Sequence, residues 1–594
     1  MKSHTRKIKK VLFSLFLISI IVALHQVWGW CFKRTAIRTV TSFKMHTLDG
    51  AHLHLSDFSH RKAIVVVFLG ISCPISNAYL PSLKEMSKDY ANDGVEFIGI
   101  NSLNNESIGE MADHAREYEI NFRLVKDWDG RIAKILGATR TAEAFLLDPG
   151  GRVFYEGRID DSIEYGARKP HPQNGFLKND ISRVLYQLPP SIKKTDAQGC
   201  LLSFPKTSSA GEGEHLTYSR DIRPIVDRHC INCHNPKGMA PFSLTSYDKI
   251  KDWAPMIESV VSDRIMPPWH ADPRYGEFLG NRSLPEASLR ILLAWLRSDM
   301  PPGNPDDLVS RVPTATDGWQ LGKPDFVVST PQFKVRPSGA SYFENYYHKT
   351  TFTEDTWVKS VEVLPGNPKV VHHVTVYVIP PGNNNPLDWD DWGFFAAMAP
   401  GYSTTTFPIG YAKKIPAGST VYVEMHYSPR GKFETDQTQV GFHLAHGRKL
   451  KEAHTYGLGS RKFTIPAGAS DFRLSERFKF SKNATLFGIY PHGHYRAKSF
   501  RLTAELPNGE KSILISVPNY DVAWQNYYKL RQPLQFREGT SLICDAVYDN
   551  SNRNPRNPDP LRDVSWGPKT EDEMMYCFID YAFEGEASEQ ISVR

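Results

Sequence analysis

A Cys-x-x-Cys-His sequence at Cys230, Cys233 and His234 provides groups that can bind haem covalently. The two thiols of such a motif add to the haem vinyl groups, and the adjacent imidazole binds the iron as proximal ligand. The motif lies between helical patterns in a chain whose N-terminus indicates export, which favours haem over a zinc pair. We therefore predict one covalently bound haem c, with His234 on the iron.

The second axial ligand is expected on the C-terminal side of the motif. Met266, in the proline-rich sequence Met-Pro-Pro-Trp, is the first candidate, Met239 is its rival, and His270 is a further alternative. The segment Tyr218–Pro305 resembles small class-I-like cytochromes c. In the branch that it resembles most, the methionine of this turn is the axial ligand. A His/Met pair fills both axial positions, which implies an electron carrier and not an oxygen binder.

Five histidines in three strand-like segments could hold further metal ions. His492 and His494 are two residues apart, so on an extended strand both point to one face. His372 and His373 are adjacent, so both reach one ion only at a strand end or bulge. His426 lies on the polar face of its strand. Taken singly, each segment is also compatible with an exposed strand end.

Together, the histidine segments resemble the copper type II ascorbate-dependent monooxygenases, the peptidylglycine and dopamine hydroxylase family. The resemblance covers about residues 320–590. It includes Phe407–Tyr411, the stretch Ile415–Ser419 that leads into Met425-His426-Tyr427, and the sequence Asp572-Glu573-Met574. The resemblance implies two copper ions and tandem β-sandwiches.

The same resemblance assigns the ligands of each copper. His372, His373 and His426 would hold the electron-transfer copper. The copper that binds O2 would be held by His492, His494 and Met574. Imidazole suits both copper oxidation states, whereas a thioether favours Cu(I), the form that meets O2.

A disulfide is also implied by this family, whose second cysteine directly follows the ligand methionine. Met575 occupies that position here, and Cys577 lies two residues further on, on the same strand face. We therefore predict that Cys544 and Cys577 form a disulfide that holds the Met574 strand.

Cys73 follows a strong apolar strand and precedes a helix, where the helix dipole stabilises a thiolate. This region resembles the redoxin (peroxiredoxin/thioredoxin-like) family over about 120 residues. A Cys-x-x-Cys dithiol would need a second cysteine at Ser76, the family's cis-proline position is Ala142, and a peroxidatic cysteine would need Ser or Thr at Gly70. Dithiol exchange within this domain is therefore not expected. Cys73 is either a single redox thiol or a remnant in a scaffold.

Strand and helix patterns divide the chain into several domains. An α/β pattern gives way to helices and then to short alternating strands between Pro, Gly and Asn turns. We predict a multidomain chain with an α/β thioredoxin-like domain, an all-α cytochrome c domain and all-β tandem jelly-roll-like sandwiches. The predicted segments are a signal anchor or signal peptide (1–34), the redoxin domain (35–190), a linker (191–215), the cytochrome c-like domain (216–305), an N-terminal sandwich (306–460) and a C-terminal sandwich (461–594).

The N-terminus is basic and then apolar from Val11 to Leu24. No small-residue cleavage site follows, so an uncleaved signal anchor is favoured over a cleaved signal peptide. Either places the body outside the cytoplasm, on the periplasmic side of the inner membrane. The net charge of +6 is small for 594 residues and partly N-terminal, so no nucleic-acid partner is expected.

These features predict a copper monooxygenase that hydroxylates an organic C–H bond with O2. The haem would deliver electrons singly and would replace or supplement ascorbate as the reductant of the copper sites. The ultimate electron source would be an electron-donor protein or ascorbate. Aromatic residues in 388–395 either line a cleft for a small-molecule or peptide substrate or form a surface loop. Two alternatives remain: a non-catalytic redox and copper electron-transfer protein, and a thiol-based redoxin with accessory domains.

Overall fold

The structure is a computed structural model that describes residues 38–48, 50–191, 194–202, 216–236, 238–305, 318–383, 393–446 and 450–585. The predicted signal segment 1–34, most of the glycine-rich part of the linker (203–215) and the aromatic stretch 388–392 lie outside the described residues. Within the described ranges, each helix is too short or too polar to cross a membrane.

The first domain is a seven-stranded sheet in the order β2-β1-β5-β4-β3-β6-β7, with β3, β4 and β5 parallel. All of β3 is buried, because apolar clusters cover both faces of the sheet. Its strands are β1 (Lys44–Thr47), β2 (His52–His54), β3 (Ala63–Phe68), β4 (Val95–Asn101), β5 (Arg123–Lys126), β6 (Ala144–Leu147) and β7 (Val153–Gly157), and a small hairpin follows with β8 (Ile163–Glu164) and β9 (Ala167–Arg168).

Four helices accompany this sheet: α1 (Pro74–Tyr90), α2 (Ile108–Glu117), α3 (Arg131–Leu136) and α4 (Phe176–Leu185). The apolar patterns of the sequence predict strands at 64–69, 95–100, 144–148 and 152–157, which agree with β3, β4, β6 and β7 to within about one residue at each end. The apolar spacing from Leu80 to Tyr90 predicts a helix. Helix α1 begins earlier than Leu80, because Pro74 suits the first turn and Cys73 caps it. Cys73 therefore lies at the N-terminus of a helix, as the sequence predicts.

The described part of 216–305 contains helices and no strand. After a π-turn at Tyr218–Ile222 come α5 (Arg223–His229), α6 (Tyr247–Asp252), α7 (Ala254–Ser262) and α8 (Glu286–Arg297). They pack around the fully buried Trp295. The apolar cluster that they form includes Cys73 and Cys200, so this segment packs directly on the first domain.

The next part of the chain forms a two-layer β-sandwich around a valine-rich core. One sheet has the order β10-β20-β13-β17-β21, with β16 beside β13, and the other has the order β12-β18-β14-β15. The strands are β10 (Phe326–Ser329), β11 (Phe333–Val335), β12 (Tyr342–Lys349), β13 (Thr356–Leu364), β14 (Val371–Ile379), β15 (Phe394–Met398), β16 (Thr404–Thr406), β17 (Tyr411–Ile415), β18 (Thr420–Tyr427), β19 (Glu434–Asp436), β20 (Gln439–Leu444) and β21 (Lys451–Glu452).

A second sandwich has sheets in the orders β22-β31-β25-β28 and β24-β29-β26-β27. Strand β22 precedes the predicted boundary at residue 461 but pairs with β31 of this sandwich. The strands are β22 (His454–Ser460), β23 (Thr464–Ile465), β24 (Phe472–Lys479), β25 (Ala484–His492), β26 (Ala497–Glu505), β27 (Lys511–Val517), β28 (Tyr528–Phe536), β29 (Ser541–Tyr548), β30 (Val564–Ser565) and β31 (Met575–Phe583).

Two cations, the buried Lys413 and the half-buried Arg168, connect the domains. Lys413 of the first sandwich donates to the Phe395 carbonyl and to Thr455, which bonds Asp580 of the second sandwich. Arg168, in the hairpin that follows the sheet of the first domain, donates to the Pro429 carbonyl of the first sandwich at 3.1 Å. The hydroxyl of Tyr495, in the second sandwich, donates to the Arg168 carbonyl at 3.2 Å. The hairpin thus contacts both sandwiches at once.

Candidate metal centres and their shared cavity

A bulge in β14 brings His372, His373 and His426 together. His373 is the register partner of His426 on β18, and the register shifts between Val371 and His373. The extra residue lets adjacent side chains reach the same side of the sheet. The candidate ligand atoms of the three imidazoles lie within 4.8 Å of one another, which makes the cluster a possible metal site.

The ring nitrogens of this cluster converge. The Nδ1 atom of His373 lies 3.1 Å from that of His372 and 3.1 Å from that of His426. Burial and the neighbouring histidines hold the pKa values of His373 and His426 well below their usual range. Neutral imidazoles at this spacing offer lone pairs to one shared ion, so the donor set fits copper.

His492 and His494 form a second pair, with ring centroids 5.4 Å apart. His492 ends β25, and His494 lies just beyond it. Met574, which is 2 % exposed, immediately precedes β31, the strand that pairs with β25. Burial lowers the pKa of His492 to about 4 and that of His494 to about 3, so both rings are neutral ligands at pH 7.

Two buried polar residues orient this second set. Gln525 accepts a hydrogen bond from His492 Nδ1 at 2.7 Å, which leaves Nε2 of that ring available to a metal. The Glu573 carboxylate accepts from the backbone N–H groups of His494 and Met574. His494 Nδ1 donates to the Asp572 carbonyl at 3.3 Å. These hydrogen bonds thus fix the positions of the imidazole and thioether donors. The set fits a copper that alternates between Cu(I) and Cu(II).

Both sets line one cavity of about 840 Å³. This volume is within the range of small-molecule sites. Aromatic rings lie beside both sets, and Glu424 adds a half-buried carboxylate, whose pKa is raised to about 7 by burial. The residues that contribute here are His372, His373, His426, His492, His494, Met574, Tyr377, Phe394, Tyr490, Phe578 and Glu424.

The Cys-x-x-Cys-His motif begins just after α5. Cys230 and Cys233 are half-buried, and the N–H groups of Cys233 and His234 donate to the Cys230 carbonyl. His234 Nδ1 donates to the Phe242 carbonyl at 3.1 Å, which leaves Nε2 available for iron. This arrangement of two thiols and one oriented imidazole fits covalent haem.

The candidate axial ligands lie on different segments. The N–H of Met266 donates to the Val260 carbonyl of α7 at 3.0 Å, which ties this turn to the helix. Met239 and His270 are also half-buried. The assignment of Met266 to the iron stays a prediction.

The helical segment docks beside the second histidine set. Asn526 donates to the Pro268 carbonyl at 3.2 Å and also accepts from Arg282. Arg282 donates in addition to the Gly401 carbonyl of the first sandwich. Because Asn526 follows Gln525, a short covalent and hydrogen-bonded connection joins the Met266–Pro268 turn to His492.

Cys73 has a sulfur partner that sequence reasoning missed. Its thiol is in hydrogen-bond contact with Cys200, and Thr141 donates to the Cys73 sulfur at 3.0 Å. Cys200 lies outside the predicted redoxin domain, in a segment predicted to be linker, yet this segment packs on the domain. Ala142, at the expected cis-proline position, has φ 56°, a left-handed conformation that is unusual for a residue with a side chain. The prediction of either a single redox thiol or a remnant at Cys73 did not include this neighbouring thiol, and the role of Cys73 stays a prediction.

Cys544 and Cys577 face each other between the two sheets of the second sandwich. Their thiols are in hydrogen-bond contact and fully buried, and no sulfur–sulfur bond joins them in the structure. The predicted disulfide has suitable neighbours and stays a prediction.

Gln525 and Cys200 were not identified from the sequence. Gln525 lies in an irregular loop without a motif, so no spacing pointed to it. Cys200 gave one signal, since it is an unassigned cysteine shortly after a redoxin pattern that lacks its second thiol.

The class of the first domain follows from a family model. The family model for Redoxin matches residues 36–168, so this part of the chain is a redoxin, thioredoxin-like domain. The thiol-disulfide oxidoreductase ResA of Bacillus thuringiensis subsp. konkukian is 27 % identical over 115 residues, which cover 19 % of this chain and 65 % of that protein.

A second curated relative is more distant and aligns with about half of the chain. DBH-like monooxygenase protein 1 of Mus musculus is 23 % identical over 351 residues, covering 51 % of this chain and 56 % of that protein. A solved structure, the hypothetical protein SMc02350 of Sinorhizobium meliloti 1021, is 24 % identical and covers 30 % of this chain and 96 % of that one, with a TM-score of 0.26. The chain thus spans less than two thirds of either curated relative, and both are named for redox chemistry.

Proposed function

We propose that this protein is a copper-dependent monooxygenase that hydroxylates an organic C–H bond with O2, with electrons supplied through an in-chain c-type haem. The observation that carries the proposal is that His372, His373 and His426 share one cavity with His492, His494 and Met574. The monooxygenase relative and the redoxin domain support oxidoreductase chemistry in general.

The chain's own residues prepare the two metal sites. When bound, copper supplies O2 binding and one-electron steps, and haem supplies one-electron transfer. Gln525 sets the tautomer of His492, and Glu573 fixes the backbone of His494 and Met574. Because burial keeps all five histidines neutral, their ring nitrogens bind a cation without first releasing a proton.

The cavity wall favours a small organic substrate. Tyr377, Phe394 and Phe578 offer apolar rings beside the candidate ligands, and such a wall excludes bulk water from a bound molecule. Apolar rings also offer little that competes with the histidines for a metal ion. We propose that the substrate binds between the two histidine sets.

The haem part of the proposal rests on the docking of the helical segment. His234 would be the proximal ligand and Met266 the distal one. The contact between Asn526 and the Pro268 carbonyl brings the Met266 turn close, along the chain, to Gln525 and His492. The haem would replace or supplement ascorbate as the source of electrons, and an N-terminal anchor would hold the protein at the periplasmic face of the inner membrane.

The first test is metal content together with reaction with O2. Purified protein is expected to contain two coppers and one haem iron per chain. After reduction by ascorbate without air, admission of O2 should cause oxygen uptake that the Met574→Ile variant loses, while its haem spectrum is unchanged. The matched control is Met575→Ile, a buried neighbour that does not line the cavity.

Two results would contradict the proposal. Copper-loaded wild type and Met574→Ile that react with O2 at the same rate would remove the second histidine set from the reaction. Copper and haem in full stoichiometry without any Met574-dependent oxygen uptake would favour the non-catalytic electron-transfer alternative.

A further inference from the structure

The thiols of Cys73 and Cys200, which are 127 positions apart in the chain, meet at the edge of the redoxin domain. Thr141 links their backbones and side chains: its N–H donates to the Cys200 carbonyl at 2.8 Å, and Cys200 N–H donates to its hydroxyl oxygen at 2.9 Å. The same hydroxyl donates to the Cys73 sulfur at 3.0 Å. Cys200 therefore occupies a defined position over Cys73.

The segment that carries Cys200 is fixed to the domain by several contacts. Arg140 and Leu201 form an antiparallel bridge, and Arg140 donates to the Gly199 carbonyl at 2.9 Å. A Cβ atom on Gly199 would lie 1.8 Å from the Thr141 carbonyl oxygen, which no side chain can tolerate. The close approach of Cys200 to Cys73 thus depends on a glycine at position 199.

The two sulfurs differ in access and in charge stabilisation. Cys200 lines the shared cavity, whereas Cys73 is completely buried behind it. Burial raises the pKa of Cys73, but hydrogen bonds from Cys200, Thr141 and the Ser76 N–H outweigh it and lower the pKa to about 6. The contact with Cys73 and burial raise the pKa of Cys200. Cys73 is therefore the better leaving thiolate, and Cys200 is the sulfur that a molecule in the cavity can reach.

We propose that Cys73 and Cys200 form a redox-active dithiol–disulfide site that exchanges with small thiols entering the shared cavity. In the oxidised site, an incoming thiolate attacks the Cys200 sulfur. The Cys73–Cys200 bond breaks, Cys73 leaves as the thiolate, and a mixed disulfide remains on Cys200. A second small thiolate attacks the sulfur of the first, the bond between that sulfur and Cys200 breaks, and Cys200 leaves as a thiolate that takes up a proton. This gives a small-molecule disulfide and the reduced pair, so two electrons pass to the protein.

This site goes beyond the proposed monooxygenase and does not depend on it. It needs neither copper nor haem. Its two thiols, Cys73 and Cys200, come from segments before and after Thr141 in the chain. Cys544 and Cys577 provide an internal comparison. They are also a buried pair in contact, but neither lines the cavity, and burial and the contact with Cys577 raise the pKa of Cys544.

Full-length protein is incubated with reduced and oxidised glutathione in graded ratios, quenched in acid, alkylated and mapped by mass spectrometry. We expect oxidised glutathione to produce a Cys73–Cys200 disulfide. We also expect this bond to open, as the ratio becomes more reducing, before any bond between Cys544 and Cys577 opens. Free thiols at Cys73 and Cys200 in excess oxidised glutathione would overturn the proposal, as would a bond that resists glutathione longer than the Cys544 pair.

The direction of attack has its own readout. Brief exposure of the oxidised protein to reduced glutathione, followed by acid trapping, should place glutathione on Cys200. An adduct on Cys73 instead would overturn the assigned roles.

The Gly199→Ala variant should lower the equilibrium constant for forming the disulfide by at least about tenfold, because Cys200 is displaced. Gly109→Ala, at a helix position where a Cβ would meet only the Ser107 hydroxyl, at 3.9 Å, should leave that constant unchanged. An unchanged constant in Gly199→Ala would show that the observed position of Cys200 does not control the exchange.

Discussion

The Nδ1 atoms of His373 and His426 lie 3.1 Å apart across two paired strands. Paired strands bring cross-strand side chains together on one face, and the bulge at His372 adds a third imidazole to the pair. The first histidine set is therefore built into the hydrogen-bonding register of the sandwich and does not depend on a flexible loop.

Removal of one imidazole should cost one copper. His426→Ala is expected to lower copper content from two ions to one per chain, because two remaining histidines hold the ion weakly. Metal analysis after dialysis against a mild chelator measures this. His348→Ala, on the exposed side of β12, is the control, and equal copper loss in both variants would contradict the site.

Gln525 should control copper affinity without touching the metal. Gln525→Ala removes the acceptor for His492 Nδ1, and we expect copper to bind about 10–100-fold more weakly at the second set. Competition with a chelator of known affinity measures the change. Gln525→Glu, which keeps an acceptor, should restore most of the affinity, and the exposed Gln535→Ala should not alter it. An unchanged affinity in Gln525→Ala would show that this hydrogen bond is only structural.

The choice between Met266 and Met239 as haem ligand can be made by paired substitution. Met266→Ala should remove the methionine–iron signature from the absorption spectrum and lower the reduction potential, while covalent haem remains attached through Cys230 and Cys233. Met239→Ala should leave the spectrum unchanged. The opposite result would transfer the ligand role to Met239.

Lys413 should make stability depend on pH in the alkaline range. Burial lowers its pKa to about 8 in the folded protein, although Asp580 opposes the shift, whereas an unfolded chain keeps a lysine pKa of about 10.4. Between these values the unfolded chain binds more protons, so stability gains from Lys413 as pH rises from about 8 to about 10.4.

The measurement is urea unfolding of wild type and Lys413→Met over this range. The stability of wild type relative to the variant should rise by on the order of 1–3 kcal/mol, because the variant lacks the titrating group. Lys414→Met, on the opposite side of the strand, should retain the wild-type slope. Parallel pH profiles for wild type and Lys413→Met would contradict the assignment.

Strands with strong periodicity could be predicted from the sequence. The alternating pattern of residues 420–427 predicts a strand, and β18 has the same ends. Strands β3 and β4 begin within one residue of the predicted positions, because their apolar patterns determine which face is buried. The requirement for a bulge at His372 followed from the adjacency of two histidines. The bulge itself depends on pairing with β18, which lies about 50 residues away.

Contacts between distant segments could not be predicted in the same way. No periodicity links Cys200 to Cys73 or Gln525 to His492, since each pair meets only when segments distant in the chain pack together. The shared cavity has the same origin, because residues from the redoxin domain, the helical segment and both sandwiches line it.

The hairpin residue Arg168 has a mechanical consequence for the two histidine sets. Each set belongs to a different sandwich, and Arg168 bonds the first through Pro429 and the second through Tyr495. A rigid brace of this kind sets the gap between the sandwiches from outside either one. Deletion of the redoxin domain would therefore change the separation of the two metal sites, even though that domain supplies none of their ligands.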